Sequence, residues 1–171
     1  MPEIAPTTIE DALAARLGQI VVAWSSVEEW LSHLLAVFIG ADPGGLTILT
    51  GTAGAATQIK WIKTVITVYH HQTDFTEIQE LLNHAEDLRV DRNALVHGVW
   101  DPTGCEPGTC SVTTYNWQKT EIMKTWLITT SDLDDLLSGV QEWVREYVRL
   151  GRKYAFPRIK GKPGSIFDHD D

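Results

Sequence analysis

Leu13, Leu17, Ile20, Val21, Trp24, Val27, Leu31, Leu34, Leu35 and Phe38 recur at three- and four-residue intervals. Laid out at about 100° per residue they fall on one stripe, the mark of a long amphipathic helix. A stripe of that length is stable only if other elements cover it, so the rest of the chain must supply matching apolar faces. The segment Thr7-Thr8-Ile9-Glu10 reads as a capping box that opens this helix, Thr7 paired with Glu10. Gly40 and Asp42-Pro43-Gly44-Gly45 close it near Ile39.

Three further stretches supply such faces. Leu46 to His70 predicts a second helical region, broken around Gly51 to Gly54, with Ile59, Ile62, Ile66 and Tyr69 as its stripe. Its glycines do not form a phosphate loop, because no Gly-Lys-Ser/Thr follows. A third helix opens at Asp74, with Glu77 three residues on, and runs to about His97, where Gly98 stops it. Ile78, Leu81, Leu82, Ala85, Leu88, Leu95, Val96 and Val99 form its stripe. Trp100 to Thr109 reads as a loop. Ser111 to Trp117 and Glu121 to Thr129 are rich in β-branched and aromatic residues, and the link Gln118-Lys119-Thr120 makes them a hairpin. Ser131 is placed to cap a last helix carrying Leu133, Leu136, Leu137, Val140, Val144, Tyr147 and Val148. The expectation is a mainly α fold: a helical bundle of about four long helices with a β-hairpin, at about residues 110–129, inserted before the last helix. One domain spans 7–150, and residues 151–171 form a basic, then acidic, C-terminal tail.

Within the third stripe one residue is out of place. Arg92 falls near its middle, and a guanidinium is always charged and rarely buried without a partner. Glu28 lies at the inward edge of the first stripe, so a bidentate Glu28–Arg92 pair is expected to pin the two helices together. Removing Glu28 would then strand a charge at a cost of about 3–5 kcal/mol. Asn93 and His97 sit four apart at the edge of the same face, and Glu86 lies on that edge too. A cation, an amide and an imidazole thus share one helix end.

Arg92-Asn93, a four-residue spacer from the arginine and then His97, at the end of a long helix in a small helical domain, resembles the HEPN superfamily (higher eukaryotes and prokaryotes nucleotide-binding). Its hallmark is an arginine, often with a polar residue after it, then four to six residues and a histidine. The earlier Trp24-Ser25-Ser26-Val27-Glu28, the Gly98 stop, a short β segment and a closing helix fit the same pattern, and the likeness covers most of residues 8–150. It implies a metal-independent endoribonuclease. A histidine side chain titrates near pH ~6.5 and can serve as base or acid. Arg92 and Asn93 would hold the phosphate, with Glu28 and Glu86 supporting. Only RNA offers an internal 2′-hydroxyl nucleophile. Ribonucleases of this family build the site from two facing motifs, and this chain carries one, so the resemblance implies a homodimer. The analogy extends to the toxin of a toxin–antitoxin or defence pair, with an antitoxin or other protein as partner. The alternative it leaves open is a non-catalytic dimeric scaffold or a nucleotide- or nucleic-acid-binding module.

Charge limits how RNA would be held. A net charge of −9 argues against broad, non-specific nucleic-acid binding. Seven of the 14 Lys and Arg residues, against four of the 23 acids, lie from Arg145 onward, so that part carries +3 and the remainder −12. The cations of the last helix suit its dipole. The other reading is a phosphate-contact strip in which Arg149, Arg152 and Lys153 bind nucleic acid. No cofactor or metal site is visible. Cys105 and Cys110 flank Glu106-Pro107-Gly108-Thr109 without a second pair, which points to a reduced, exposed loop pair. Glu29 and His33 read as a surface pair one helical turn apart. With no basic start followed by an apolar run, and apolar stretches interrupted by polar residues, a cytoplasmic protein without a membrane span is expected.

Overall fold

The computed structural model describes residues 9–41, 45, 51, 53–69, 74–116, 121–154 and 156. In chain order these form α1 (Asp11–Ile39), α2 (Ala55–Tyr69), α3 (Thr76–His97), β1 (Val99–Asp101), β2 (Thr109–Asn116), β3 (Glu121–Thr129) and α4 (Thr130–Lys153). Four helices surround one core, and a three-stranded antiparallel sheet, ordered β1-β2-β3, sits between α3 and α4. The fold is mainly α with the β-hairpin before the last helix, as the stripes and the hairpin pattern led us to expect.

The core forms where the stripes meet. α1 packs most extensively on α4 and then on α2, and α3 packs on α4. Leu13, Ile20, Trp24, Val27, Leu31 and Leu34 of α1 are buried, against Leu133, Val140, Trp143, Tyr147 and Leu150 of α4 in the same cluster. Trp143 and Leu150 were missing from the expected stripe of the last helix, whereas Val148, which was included, is 38 % exposed. Trp143 also donates its indole N–H to the Leu81 carbonyl at 2.8 Å, which ties α4 to the middle of α3. By length and composition alone α1 is apolar enough to cross a bilayer. Here its stripe is the centre of the core.

The element ends correct several expectations. Thr7 lies outside the described residues. Glu10 is the N-cap of α1 without a side-chain bond, and its carboxylate instead accepts from the Gly108 N–H at 2.9 Å. Gly40 closes α1 in the left-handed conformation, φ 64°, where a side chain would be strained. α3 starts at Thr76, and Asp74 accepts from its N–H at 3.0 Å. α4 is capped by Thr129 rather than Ser131, in a reciprocal box with Asp132. Trp100 belongs to a strand, not a loop, because β1 pairs with β2 through Trp100 opposite Val112. The hairpin registers Cys110 opposite Ile128 and Val112 opposite Trp126. Trp117 to Thr120 and Tyr69's side chain lie outside the described residues.

Candidate functional site

The polar end of α3 is fixed from two sides. The last carbonyls of a helix lack intrahelical partners. Here the Trp100 indole N–H reaches back from β1 and satisfies the Leu95 carbonyl at 2.7 Å. Gly98 then turns the chain into β1 with ordinary extended angles, φ −72° and ψ 155°. Its role is close approach, not handedness. A Cβ there would meet the Ala94 carbonyl oxygen and the Val112 methyl, each at 2.5 Å. The helix end is therefore packed closely against Val112 of β2, and His97 sits at that joint.

Arg92 is half-buried. One of its terminal nitrogens donates to the Asn93 side-chain oxygen at 2.9 Å, while its Nε is buried with no hydrogen-bond partner among the described residues. The expected ion pair with Glu28 does not form; among the described residues Arg92 has no carboxylate within 4 Å. The arginine that faces Glu28 is Arg89. Arg89, Asn93, Glu28, Trp24 and the first turn of α2 line a cleft of ≈ 220 Å³. Glu28 there faces the positive end of the α2 dipole, a favourable place for a carboxylate. Gln58, nearly fully buried, holds that end of α2 against α1. It accepts from the Ser32 hydroxyl at 3.1 Å and donates to the Ala53 carbonyl at 2.8 Å.

Glu86 is engaged by Arg89 through two bonds, 2.9 and 2.6 Å, which hold its carboxyl below the usual range. His97 is exposed and makes no hydrogen bond among the described residues. The structure thus brings Arg92 onto Asn93, and Asn93 into one cleft with Glu28, while Glu86 is reached through Arg89. Sequence reasoning missed Arg89, although it lies one turn from both Glu86 and Asn93. It also missed Asp91, whose carboxyl is pushed up by partial desolvation and by Asp87, against the pull of Lys124.

The other cationic candidates lie at the opposite end of α3. Arg149 contacts Glu146 at 2.6 Å and Glu77 at 3.0 Å, and Lys153 is hydrogen-bonded to Glu77. Arg152 is exposed beside them. Cys110 is buried in β2 and Cys105 half-buried, so the pair is not an exposed loop pair; both are free thiols. His33 is no surface partner of Glu29 either. Its Nδ1 is hydrogen-bonded to the Tyr147 hydroxyl, with the Trp30 ring 4.8 Å from the Tyr147 ring. Among the described residues no group of three His, Cys, Asp or Glu side chains is arranged to hold a metal. No family model matches this chain, and neither does any curated protein or solved structure.

Proposed function

We propose that this protein is a metal-independent endoribonuclease of the HEPN type that works as a homodimer, with Arg92, Asn93 and His97 as its catalytic residues. The observation that carries the reading is the state of those side chains. Arg92 keeps a buried nitrogen unpartnered and holds Asn93 by its oxygen, so the amide N–H groups of Asn93 point away from that bond. His97 stands exposed on the next turn with both ring nitrogens uncommitted among the described residues. Amide donors that face away from Arg92, beside an exposed imidazole, suit an anionic phosphorane better than they suit a purely structural joint.

In this mechanism His97 of one copy takes the proton of the 2′-hydroxyl. The 2′-oxygen attacks the adjacent phosphorus, and the P–O bond to the 5′-oxygen breaks. That leaving oxygen takes a proton from the imidazolium of the second copy's His97. Arg92 and Asn93 hold the non-bridging oxygens. The products are a 2′,3′-cyclic phosphate and a 5′-hydroxyl, and DNA is inert for want of the nucleophile. A second copy has a surface to meet. Val90, two helical turns before His97 on the same face, is 53 % exposed, and Val99 just after it is 47 % exposed. Leu127, on the outer sheet face with Val99, is 63 % exposed. Five of the described tryptophans do not provide that surface, since Trp24 and Trp143 are core and Trp30, Trp100 and Trp126 are half-buried.

Two measurements test the reading. Incubation with single-stranded and structured RNAs in EDTA at low ionic strength should yield cyclic-phosphate ends, and the matching DNAs should stay intact. Light scattering should give twice the chain mass. A monomer at micromolar concentration that cuts no RNA would remove the proposal. A dimer that cuts no RNA would instead leave the non-catalytic dimeric scaffold in its place.

A further inference from the structure

α2 differs in charge from the other described helices. Its fifteen residues contain Lys60 and Lys63 and no acid, whereas α1, α3 and α4 each carry more acids than cations. The two lysines open onto a groove of ≈ 600 Å³ that α2 forms with α3, and Thr64, Thr67 and Val68 continue its floor. Lys63 donates to the neutral Asn83 side chain at 2.8 Å. Among the described residues neither lysine has a carboxylate within 4 Å. Glu86 lies in the groove as well, but Arg89 engages both of its oxygens. Trp61, beside Lys60, leaves 38 % of its surface in solvent although the other described tryptophans are half-buried or buried.

The groove leads somewhere. Ala56 borders both it and the smaller cleft that contains Asn93, and the Glu86–Arg89 pair bridges the two. Of the seven cations before residue 145, Lys60 and Lys63 line the groove and Arg89 lines the cleft, while Arg92 is bonded to Asn93 at the cleft's edge. Two lysines with no carboxylate partner among the described residues, and an exposed indole beside Lys60, form an arrangement that suits a single strand, phosphates on the charges and a base on the ring.

We infer that the outer face of α2 and its groove with α3 are the binding track for single-stranded RNA, with Lys60 and Lys63 on consecutive phosphates and Trp61 under a base. The choice of RNA as the polynucleotide rests on the nuclease reading; the track itself rests on the charge and shape of α2.

The test is fluorescence anisotropy with a labelled single-stranded RNA, in EDTA and with His97→Ala in every protein so that the probe stays whole. The double variant Lys60→Gln/Lys63→Gln should bind more weakly and reduce the slope of log Kd against log salt by about 1.4, at about 0.7 per lost phosphate contact on a single strand. Trp61→Ala should weaken binding about tenfold at unchanged melting temperature. Arg149→Gln/Lys153→Gln should bind like the parent, because those charges are already paired. Unchanged affinity and slope in the Lys60/Lys63 variant, tighter dependence on Arg149 and Lys153, or no binding by the parent would each overturn the track. Equal affinity for DNA of the same sequence would overturn its assignment to RNA. Cleavage by the protein with His97 intact is scored separately. If it cuts RNA with the same concentration dependence after Lys60→Gln/Lys63→Gln, the track fails and the nuclease stands. If it never cuts, yet RNA binding falls as described, the nuclease fails and the track stands.

Discussion

The two ends of α3 treat charge in opposite ways. At the first turn Glu77 accepts from both Arg149 and Lys153, and Glu146 takes the other side of Arg149. Glu77, Glu146, Arg149 and Lys153 all have partners there, and their side chains keep 35–51 % of their surface in solvent. At the last turns Arg92 is half-buried with a nitrogen left over, its expected carboxylate partner faces α2, and His97 has no described bond. The saturated end is what a stabilising surface network looks like, and such networks contribute little. The unsaturated end is costly to the fold, because a buried donor without a partner loses its hydration for nothing. A protein keeps such a place when something else completes it.

Perturbing the two ends should separate them. The largest effect expected is at the joint that positions His97. Gly98→Ala forces a methyl onto the Ala94 carbonyl and Val112, and should destabilise by about 1–3 kcal/mol in urea unfolding, with amide exchange rising first around β1 and the end of α3. Arg92→Met replaces a guanidinium whose Nε has no partner among the described residues by an apolar chain of similar reach. It should leave stability within about 1 kcal/mol of the parent or raise it, while RNA cleavage is lost. A loss of several kcal/mol would mean that Arg92 is held by a partner after all. Glu28→Ala should shift stability by no more than about 0.5 kcal/mol, since no ion pair is broken.

Glu77→Gln tests the saturated end and should do least. Hydrogen bonds from Lys153 and Arg149 lower the folded-state pKa of Glu77 below its ordinary value. That contribution is present above the usual carboxylate range and is lost as pH falls through the lowered value. Parent and variant melting temperatures should therefore converge in acid, and at neutral pH in high salt. A difference that persists in molar salt would contradict a solvent-screened network.

Periodicity carried most of the fold. The stripes of α1 and α3 are read correctly except at Val21, 39 % exposed, and at Val99, 47 % exposed in β1, because an apolar face wide enough to be buried has one solution on a 3.6-residue repeat. The same repeat does not say which neighbour each edge meets. Arg92 was matched to Glu28 because both lie inward on their own helices. In the folded chain α2 enters between those edges, and the row Glu86, Arg89, Asn93 turns toward the cleft instead. Trp143 was legible in the repeat, three residues after Val140 and four before Tyr147, and only the bond of its indole to the Leu81 carbonyl needs three dimensions to be seen. Gly98 was read correctly as a stop but for a different cause, since its extended angles suit any residue and the close approach of the Ala94 carbonyl and of Val112 on β2 excludes a side chain. The polar residues of the α3 end were legible as a motif. Their lack of partners was not.

The central claim is that His97 at that end transfers a proton during RNA cleavage. Single-turnover reactions on one labelled RNA in EDTA, run with the wild-type protein and with His97→Ala, test it directly when paired with melting curves. The account predicts cyclic-phosphate product from wild type, at least a hundredfold slower cleavage by the variant (about 10²–10⁴ for a general acid–base group) and nearly equal melting temperatures, because His97 is exposed. Equal rates for the two proteins, including equal and negligible turnover, would contradict it and leave the end of α3 as a structural joint.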